Sequence, residues 1–384
     1  MQRLVGIALI SMLTACVSMD NTPTASPRKI TAEMLLESSP LAEFGTADQL
    51  PDVEMLAITP EMKAFLDQHV NLKDGQNERL AQLVIAVMGE DRFQLAYDDS
   101  TRTAAETFDS RRGNCLSFTN MFIAMAREVN LDAYYQEVDI PPDWSMSGQT
   151  YLLSQHVNVI VEIRNALSRV VDFNIYDFHS LNESREISDQ RARAHYFNNI
   201  GVERMLDDEA GLAYANLQQS LFEDRDFVPA WINMGILHRR EGYPYFAEAA
   251  YLQALHLDRG NLLAMSNLAN LYQELGKEDL HQQYLYWVQS HRNQNPYYRY
   301  QMANMAFSEG DYSAAIDHLK AAIRKNKNDD RFYYLLSLSY LMSGDREAAE
   351  RWMEQAEKTA RESAERQKYH HKLDLLREQN IEFN

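Results

Sequence analysis

Three residues could form a catalytic set: Cys115 as a nucleophile, His156 as a base, and Asp172 as a carboxylate that orients the base. They follow one another along the sequence in that order. A cysteine becomes a strong nucleophile when a neighbouring imidazole accepts its proton and later returns it. A carboxylate beside the imidazole fixes the tautomer of the ring and stabilises its protonated form. Each residue alone has a plainer explanation, as a small buried side chain, a hydrogen-bonded strand residue or a turn residue. Together they predict catalysis by a thiolate.

The setting of Cys115 strengthens this prediction. The thiol follows the segment Arg111-Arg112-Gly113-Asn114, where a helix is predicted to begin. A helix N-terminus stabilises a thiolate, and cationic side chains nearby act in the same direction. The chain has one other cysteine, Cys16, for which the N-terminal sequence gives a separate use. Cys115 therefore has no internal disulfide partner, even in an oxidising compartment.

The elements that must position these residues are helices followed by strands. The spacing of apolar residues predicts helices over 61–89, over 101–109 and from 114 onward. The pattern then becomes strand-like over 133–138, 155–161 and 169–173. Pairing of the last two strands as a hairpin would place His156 and Asp172 side by side. Helices before strands indicate an α+β domain over residues 51–190.

The pattern Arg-x-Gly-x-Cys at a helix start, then a strand histidine, then a strand aspartate resembles the transglutaminase-like branch of the papain-like cysteine enzymes. The resemblance covers roughly residues 74–180, and residues 101–107 are similar to the lead-in helix of bacterial members. It implies acyl transfer at amide carbons without a cofactor, as cross-linking, deamidation or peptide cleavage. The roles it implies are nucleophile for Cys115, base for His156 and orienting acid for Asp172.

The family pattern is not complete in this chain. Members often have an aromatic residue two positions after the histidine, where this chain has Asn158. The backbone N–H of Cys115 is expected to form half of an oxyanion hole. Gln136 and Gln155 remain open as candidates for the other half. The histidines outside this set have no spacing typical of a metal site.

Beyond residue 190 small residues recur with a period of 34, at Gly201, Gly235, Ala269, Ala303 and Ser337. Seven positions further on, four of the five repeats carry a glycine, which permits a turn between two helices. This period resembles the tetratricopeptide repeat, a hairpin of two closely packed helices. It predicts five repeats and a capping helix, over 194–227, 228–261, 262–295, 296–329, 330–363 and 364–384.

Amide side chains recur on the first helix of these repeats. Asn199, Asn233 and Asn267 are 34 residues apart, and the resemblance implies that the first helices line a concave groove. Amides in such a groove would hold the backbone of an extended peptide. The alternative is that asparagine is merely common at this position of the repeat. The predicted partner is a protein or peptide bound by the array.

The N-terminal residues predict export and anchoring. Residues 1–15 read as a short signal peptide that ends in Leu13-Thr14-Ala15-Cys16. This tetrapeptide resembles the lipobox of bacterial lipoproteins, in which the cysteine is lipidated and becomes the new N-terminus. Val17 stands where inner-membrane proteins usually carry aspartate, which implies the outer membrane, facing the periplasm. The alternative is a conventional cleaved signal. Residues 16–50, rich in Ser, Thr and Pro, predict a flexible tether.

The formal net charge of −19 argues against nucleic acid as a partner, because such binding needs basic surface. The sequence thus predicts an α+β transglutaminase-like domain followed by an all-α tetratricopeptide-repeat solenoid, with membrane contact through the N-terminal lipid only. The leading hypothesis is a cysteine-dependent amide hydrolase or acyltransferase acting on a protein or peptide that the array holds. The alternative is a non-catalytic protein-binding scaffold of the cell envelope.

Overall fold

The computed structural model describes residues 30–89, 93–138, 156–164, 166–173, 184–360 and 363–378. Helices and a small sheet make up the part that ends at residue 188, and the part from residue 189 is helical throughout its described residues. We call residues 51–188 the cysteine domain, residues 189–378 the array and residues 30–50 the N-terminal segment.

Helices α1 (Ala32–Glu37), α2 (Pro60–His69), α3 (Gln76–Met88), α4 (Ala104–Ser110) and α5 (Cys115–Glu128) precede the sheet. The single helix predicted over residues 61–89 is therefore two helices. Asn71 causes the break, because its side chain accepts a hydrogen bond from the N–H of Lys73 at 3.2 Å and donates one to Asp74 at 3.0 Å. Such local bonds offer the backbone an alternative to the helix.

The sheet packs against α5. Its strands are β3 (Asp132–Val138), β4 (His156–Glu162), β5 (Arg169–Val171) and β6 (Ser184–Ile187), in the order β5-β4-β3-β6. All neighbours are antiparallel, so the predicted pairing of β4 with β5 is confirmed. Two short strands, β1 (Ala96–Tyr97) and β2 (Arg112–Gly113), pair in parallel just before α5. Residues 116–126 of α5 are all buried, as expected of a helix with apolar residues on every face.

The array consists of consecutive helix pairs. They are α6 (Asp189–Leu206) with α7 (Ala210–Glu223), α8 (Val228–Arg240) with α9 (Pro244–Leu257), α10 (Leu262–Glu274) with α11 (Glu278–Gln294), α12 (Pro296–Ser308) with α13 (Tyr312–Lys325), and α14 (Asp330–Met342) with α15 (Arg346–Thr359). Helix α16 (Ser363–Glu378) packs on α15. The glycines between the helices of repeats two to five have φ values of 80°, 66°, 82° and 90°, a left-handed conformation that favours glycine.

The flexible tether predicted near the N-terminus is wrong for the N-terminal segment. Leu35, Leu36 and Leu41 are at most 1% exposed and belong to the same hydrophobic core as the first three repeats. The hydroxyl of Tyr214 donates to the carbonyl oxygens of Leu35 and Leu36, each at 3.0 Å. Burial of three leucines outweighs the flexibility that the Ser- and Pro-rich composition suggests.

Helix α6 belongs to both parts of the molecule. Ala192, Tyr196 and Phe197 pack in the core of the cysteine domain, whereas Ala194 and Met205 pack in the core of the array. This double role explains why the helix begins at Asp189, before the predicted first repeat. No separate linker therefore stands between the cysteine domain and the array.

Buried charges also join α6 to the sheet. The carboxylate of Glu137 on β3 accepts hydrogen bonds from His195 Nε2 at 2.6 Å, Arg191 Nε at 2.8 Å and Arg185 Nε at 2.7 Å. Burial by itself raises the pKa of Glu137, but the hydrogen bonds from His195 and then Arg191 outweigh it and hold that pKa well below its usual range. The contact fixes the sheet against the first helix of the array.

Candidate functional site

Cys115 is the first residue of α5, where the sequence predicted it. The side chain of Asn114 caps the helix by accepting the N–H of Ser117 at 3.0 Å, and its amide donates to the hydroxyl of Thr101 at 2.7 Å. Gly113 is required because a Cβ there would lie 2.4 Å from the Cβ of Ser117. The cap therefore fixes the start of the helix, and Cys115 is left half-buried.

His156 and Asp172 meet where strands β4 and β5 pair. His156 begins β4 and Asp172 follows the last residue of β5. Nε2 of His156 lies 2.8 Å from each carboxylate oxygen of Asp172. The two side chains are only 4% and 7% exposed. The structure therefore brings the predicted base and the predicted orienting acid into direct contact.

His156 lies close enough to Asp172 and Cys115 for both to shift the pKa of its imidazole. Burial lowers this pKa, but the interaction with Asp172 and then that with Cys115 outweigh burial and raise it to about 9. The ring is thus protonated at neutral pH, and an imidazolium beside a sulfur stabilises the thiolate.

Helix α5 and strand β4 are tied together next to these residues. Thr119 lies one turn after Cys115 on the same face of the helix. Its hydroxyl donates to the carbonyl oxygen of Val157, at 3.1 Å. Val157 follows His156 directly, so this bond ties α5, one turn after Cys115, to the strand that carries the imidazole.

The sequence noted Asn158 only as a departure from the family pattern, and the structure gives it a role. Asn158 is fully buried and its amide nitrogen donates to Oδ2 of Asp172 at 2.8 Å. The register of β4 and β5, with Val159 opposite Val171, sets Asn158 opposite Asp172. The amide therefore orients the carboxylate that in turn orients His156, a role that only the register of the two strands reveals.

The two arginines expected to support the thiolate have other partners. Arg112 pairs with Asp98 at 3.1 Å, and the guanidinium of Arg111 lies 5.2 Å from the ring centroid of Phe93. Hydrogen bonds from Arg102 and then Arg112 outweigh burial and lower the pKa of Asp98 to about 2. The charge of Arg112 is therefore neutralised by Asp98. The groups that can stabilise a thiolate at Cys115 are the imidazolium of His156 and the N-terminus of α5.

The prediction of groove asparagines is wrong for two of its three residues. Asn233 is 4% exposed and donates its amide to Asn198 at 2.8 Å, and Asn267 is fully buried. Their side chains lie within the packing between helices, where they have no access to a peptide. Asn199 is half-buried and accepts a 3.4 Å hydrogen bond from Asn198. Helix α8, buried along most of its length, leaves little surface for a partner.

The remaining predicted residues divide into two sets. Cys16 and Gln155 lie outside the described residues. Gln136 lies on β3 opposite Asn158 and is 8% exposed. In the described part of the chain, no three His, Cys, Asp or Glu side chains are grouped to hold a metal ion. Nor does that part contain a helix with the length and apolar character needed to cross a membrane.

Comparison with known proteins identifies the later part of the array. A family model for the tetratricopeptide repeat matches residues 306–369, which supports tetratricopeptide repeats in this part of the chain. No curated protein matches the chain.

Several solved structures match part of this chain at low similarity. MamA is 17% identical, covers 44% of this chain and 91% of its own, and has a TM-score of 0.25. YrrB, described as a TPR protein with an unusual peptide-binding site, is 18% identical over 47% of this chain and 91% of its own, with a TM-score of 0.25. The pilF protein of Pseudomonas aeruginosa is 13% identical over 50% of this chain and 87% of its own, with a TM-score of 0.27.

Proposed function

We propose that this protein is a scaffold whose tetratricopeptide repeats bind a peptide or another protein. The observation that carries the proposal is the unbroken series of five helix pairs, each turned by a residue in the left-handed conformation. Stacked pairs of this kind present an extended concave surface, which such proteins use for binding.

The later repeats are the part of the array best suited to a partner. On α12, the first helix of the fourth repeat, Asn304 is exposed and Met305 is 50% exposed. Such a surface offers amide groups to a peptide backbone and apolar contact to its side chains. The first helices of the earlier repeats, by contrast, are engaged by the cysteine domain and by one another.

Site-specific photocrosslinking tests the scaffold. A photoreactive residue at Asn304 is expected to capture a discrete partner in cells. The matched control is the same residue at Asp317, an exposed position on the second helix of the same repeat, which should capture little. Equal capture from both positions, or from neither, would contradict binding by the first helices.

A second function is supported by the site itself. We propose that the cysteine domain is transglutaminase-like and transfers acyl groups from amides of a bound peptide. The thiolate of Cys115 attacks the amide carbon, and the C–N bond breaks as the imidazolium of His156 gives its proton to the leaving amine. The neutral imidazole then takes a proton from water or an amine, which attacks the thioester and releases Cys115. Atoms and charge balance through this cycle with no cofactor.

The gradient of burial supports this second proposal. Cys115 is half-buried, whereas the side chains of His156 and Asp172 are almost wholly covered. A substrate carbonyl would therefore meet the nucleophile first. The N–H of Cys115, at the first position of a helix, has no acceptor within that helix and is suited to a developing oxyanion.

Thiol labelling tests the acyl-transfer proposal. Iodoacetamide at pH 7, with mass spectrometry of the Cys115 peptide, is expected to label the native protein faster than a free thiol. His156→Ala should slow labelling at least about tenfold, and Asp172→Ala should slow it as well. The control His370→Ala, at a residue 60% exposed on α16, should change nothing. Slow labelling of Cys115 in the wild type and in every variant would contradict the acyl-transfer proposal and leave peptide binding by the repeats as the proposed function.

We further propose that Cys16 is lipidated and anchors the protein in the outer membrane, facing the periplasm. What supports it is the segment Leu13-Thr14-Ala15-Cys16. Labelling of cells with an alkyne fatty acid should mark the wild-type protein and leave Cys16→Ser unmarked. Labelling that persists in Cys16→Ser would contradict the anchor.

A further inference from the structure

We propose that Glu203, on the first helix of the array, is a positioning residue for the nucleophile Cys115. This inference rests on the proposed acyl transfer and extends it, because it makes the reactivity of the thiol depend on a side chain of the array.

The first step is a contact between the two parts of the molecule. A carboxylate oxygen of Glu203 accepts the backbone N–H of Thr101 at 2.8 Å. Thr101 is 5% exposed and lies in the loop between β1 and α4. A buried N–H must find an acceptor, and for this loop α6 supplies it.

The second step leads from the loop to the start of α5. The hydroxyl of Thr101 accepts the amide of Asn114 at 2.7 Å, and Asn114 is the residue that caps α5. The carbonyl oxygen of Ser100 accepts the N–H of Asn114 at 3.2 Å. The same carbonyl also lies 3.2 Å from the hydroxyl of Ser117. Residues 100–102 therefore form a template on which the first turn of α5 is built.

The third step concerns the thiol. Cys115 lies between the two residues that the template holds, Asn114 and Ser117. Displacement of the template shifts the sulfur relative to His156, whose own position depends on the separate contact of Thr119 with β4. Displacements of about 1 Å at a reacting centre cost up to about a hundredfold in rate. Glu203 thus acts through Thr101 and Asn114 and need not touch substrate.

The test measures the iodoacetamide rate of Cys115 as a function of pH in the full chain. Glu203→Ala is expected to slow labelling about tenfold and to raise the midpoint of the pH profile. Glu203→Gln, which keeps the acceptor oxygen, should restore both values. The matched control Glu209→Ala, at a side chain 45% exposed in the turn after α6, should match the wild type.

A double-mutant cycle shows whether the effect runs through the template. Thr101→Ala removes the hydroxyl that Asn114 uses but keeps the N–H that Glu203 accepts. If both act in one relay, the combined variant should be no slower than the slower single variant. Should Glu203→Ala fail to fold, Glu203→Asp retracts the acceptor by one methylene and is expected to give the same slowing.

Two results overturn this inference. One is a Glu203→Ala or Glu203→Asp variant with the wild-type rate and pH midpoint. The other is a combined variant in which the effects of the Glu203 and Thr101 changes multiply. Both results are distinct from failure of acyl transfer itself, which would appear as slow labelling of Cys115 in the wild-type protein.

Discussion

The pKa of His156 is the property that depends most directly on the geometry of the site. Its value of about 9 stands against an ordinary 6.5, a difference of about 2.5 units, or about 3 kcal/mol in favour of the imidazolium. Burial opposes this charge, so the contacts with Asp172 and Cys115 must more than offset it. Asp172→Asn keeps a hydrogen-bond acceptor and removes the negative charge. We expect it to lower the pKa of His156 by about 2 units.

The same shift predicts how folding stability depends on pH. The folded state holds the proton of His156 more tightly than the unfolded state does. The stabilisation is therefore fully present below pH 6.5 and is lost as the pH rises through about 9. This one group should contribute a loss of about 3 kcal/mol across that window, and most of the loss should be absent in Asp172→Asn. The proposed acyl transfer should decline over the same range, because the leaving amine needs the imidazolium proton.

Two measurements check these values. Titration of ¹³C-labelled histidine by NMR, with His156→Gln to assign the signal, gives the pKa in the wild type and in Asp172→Asn. Denaturant unfolding at pH 6.5 and pH 10, followed by a probe in the cysteine domain, gives the stability change. An imidazole that titrates near 6.5 in the wild type would refute the reasoning. So would an unchanged pKa in Asp172→Asn.

Three further predictions concern the frame around the site. Glu137→Gln removes the charge that pairs with Arg191, a side chain only 16% exposed, and should destabilise the junction by about 1.5–3 kcal/mol in denaturant unfolding. Gly235→Ala places a Cβ 2.4 Å from the ring of Tyr251 and should lower the free energy of unfolding by about 1–3 kcal/mol. A second substitution, Tyr251→Leu, should recover this stability by removing the ring. Burial lowers the pKa of His238 to about 4, so its stabilisation, present above pH 6.5, is lost as the pH falls toward 4. Because His238 contacts the N-terminal segment, the hydrogen-exchange protection factors of residues 31–41, corrected for the intrinsic rate at each pH, should be lower at pH 4.5 than at pH 7.

The array could be predicted from the sequence because its signal is local and repeated. Each turn glycine allows a left-handed turn, and each small residue allows two helices to pack closely, within one 34-residue unit. The N-terminal segment gave no such signal. Its leucines pack against residues far along the chain, and Tyr214 is 179 positions from Leu35. Composition alone favoured a tether, and only the fold of the repeats provides the surface that buries this segment.

The site could be predicted in its residue types and less well in its surroundings. Asp98 and Phe93, which engage the two arginines, come from a strand and loop that the sequence pattern did not show. The role of Asn158 depends on the register of β4 and β5, which residue order does not determine. The groove asparagines were placed correctly on the first helices, but their burial depends on how closely neighbouring repeats approach.

Contacts of the cysteine domain near both ends of α6 limit how the array can move. Arg191 and His195 bind Glu137 on the sheet, and Glu203 binds the loop that caps α5. His195 and Glu203 are eight residues apart, about 12 Å along a helix. One contact would leave α6 free to pivot, whereas two at this separation fix its direction. A peptide held by the repeats would therefore approach Cys115 from a constant direction, so binding by the array and chemistry at the thiol need not be separate functions.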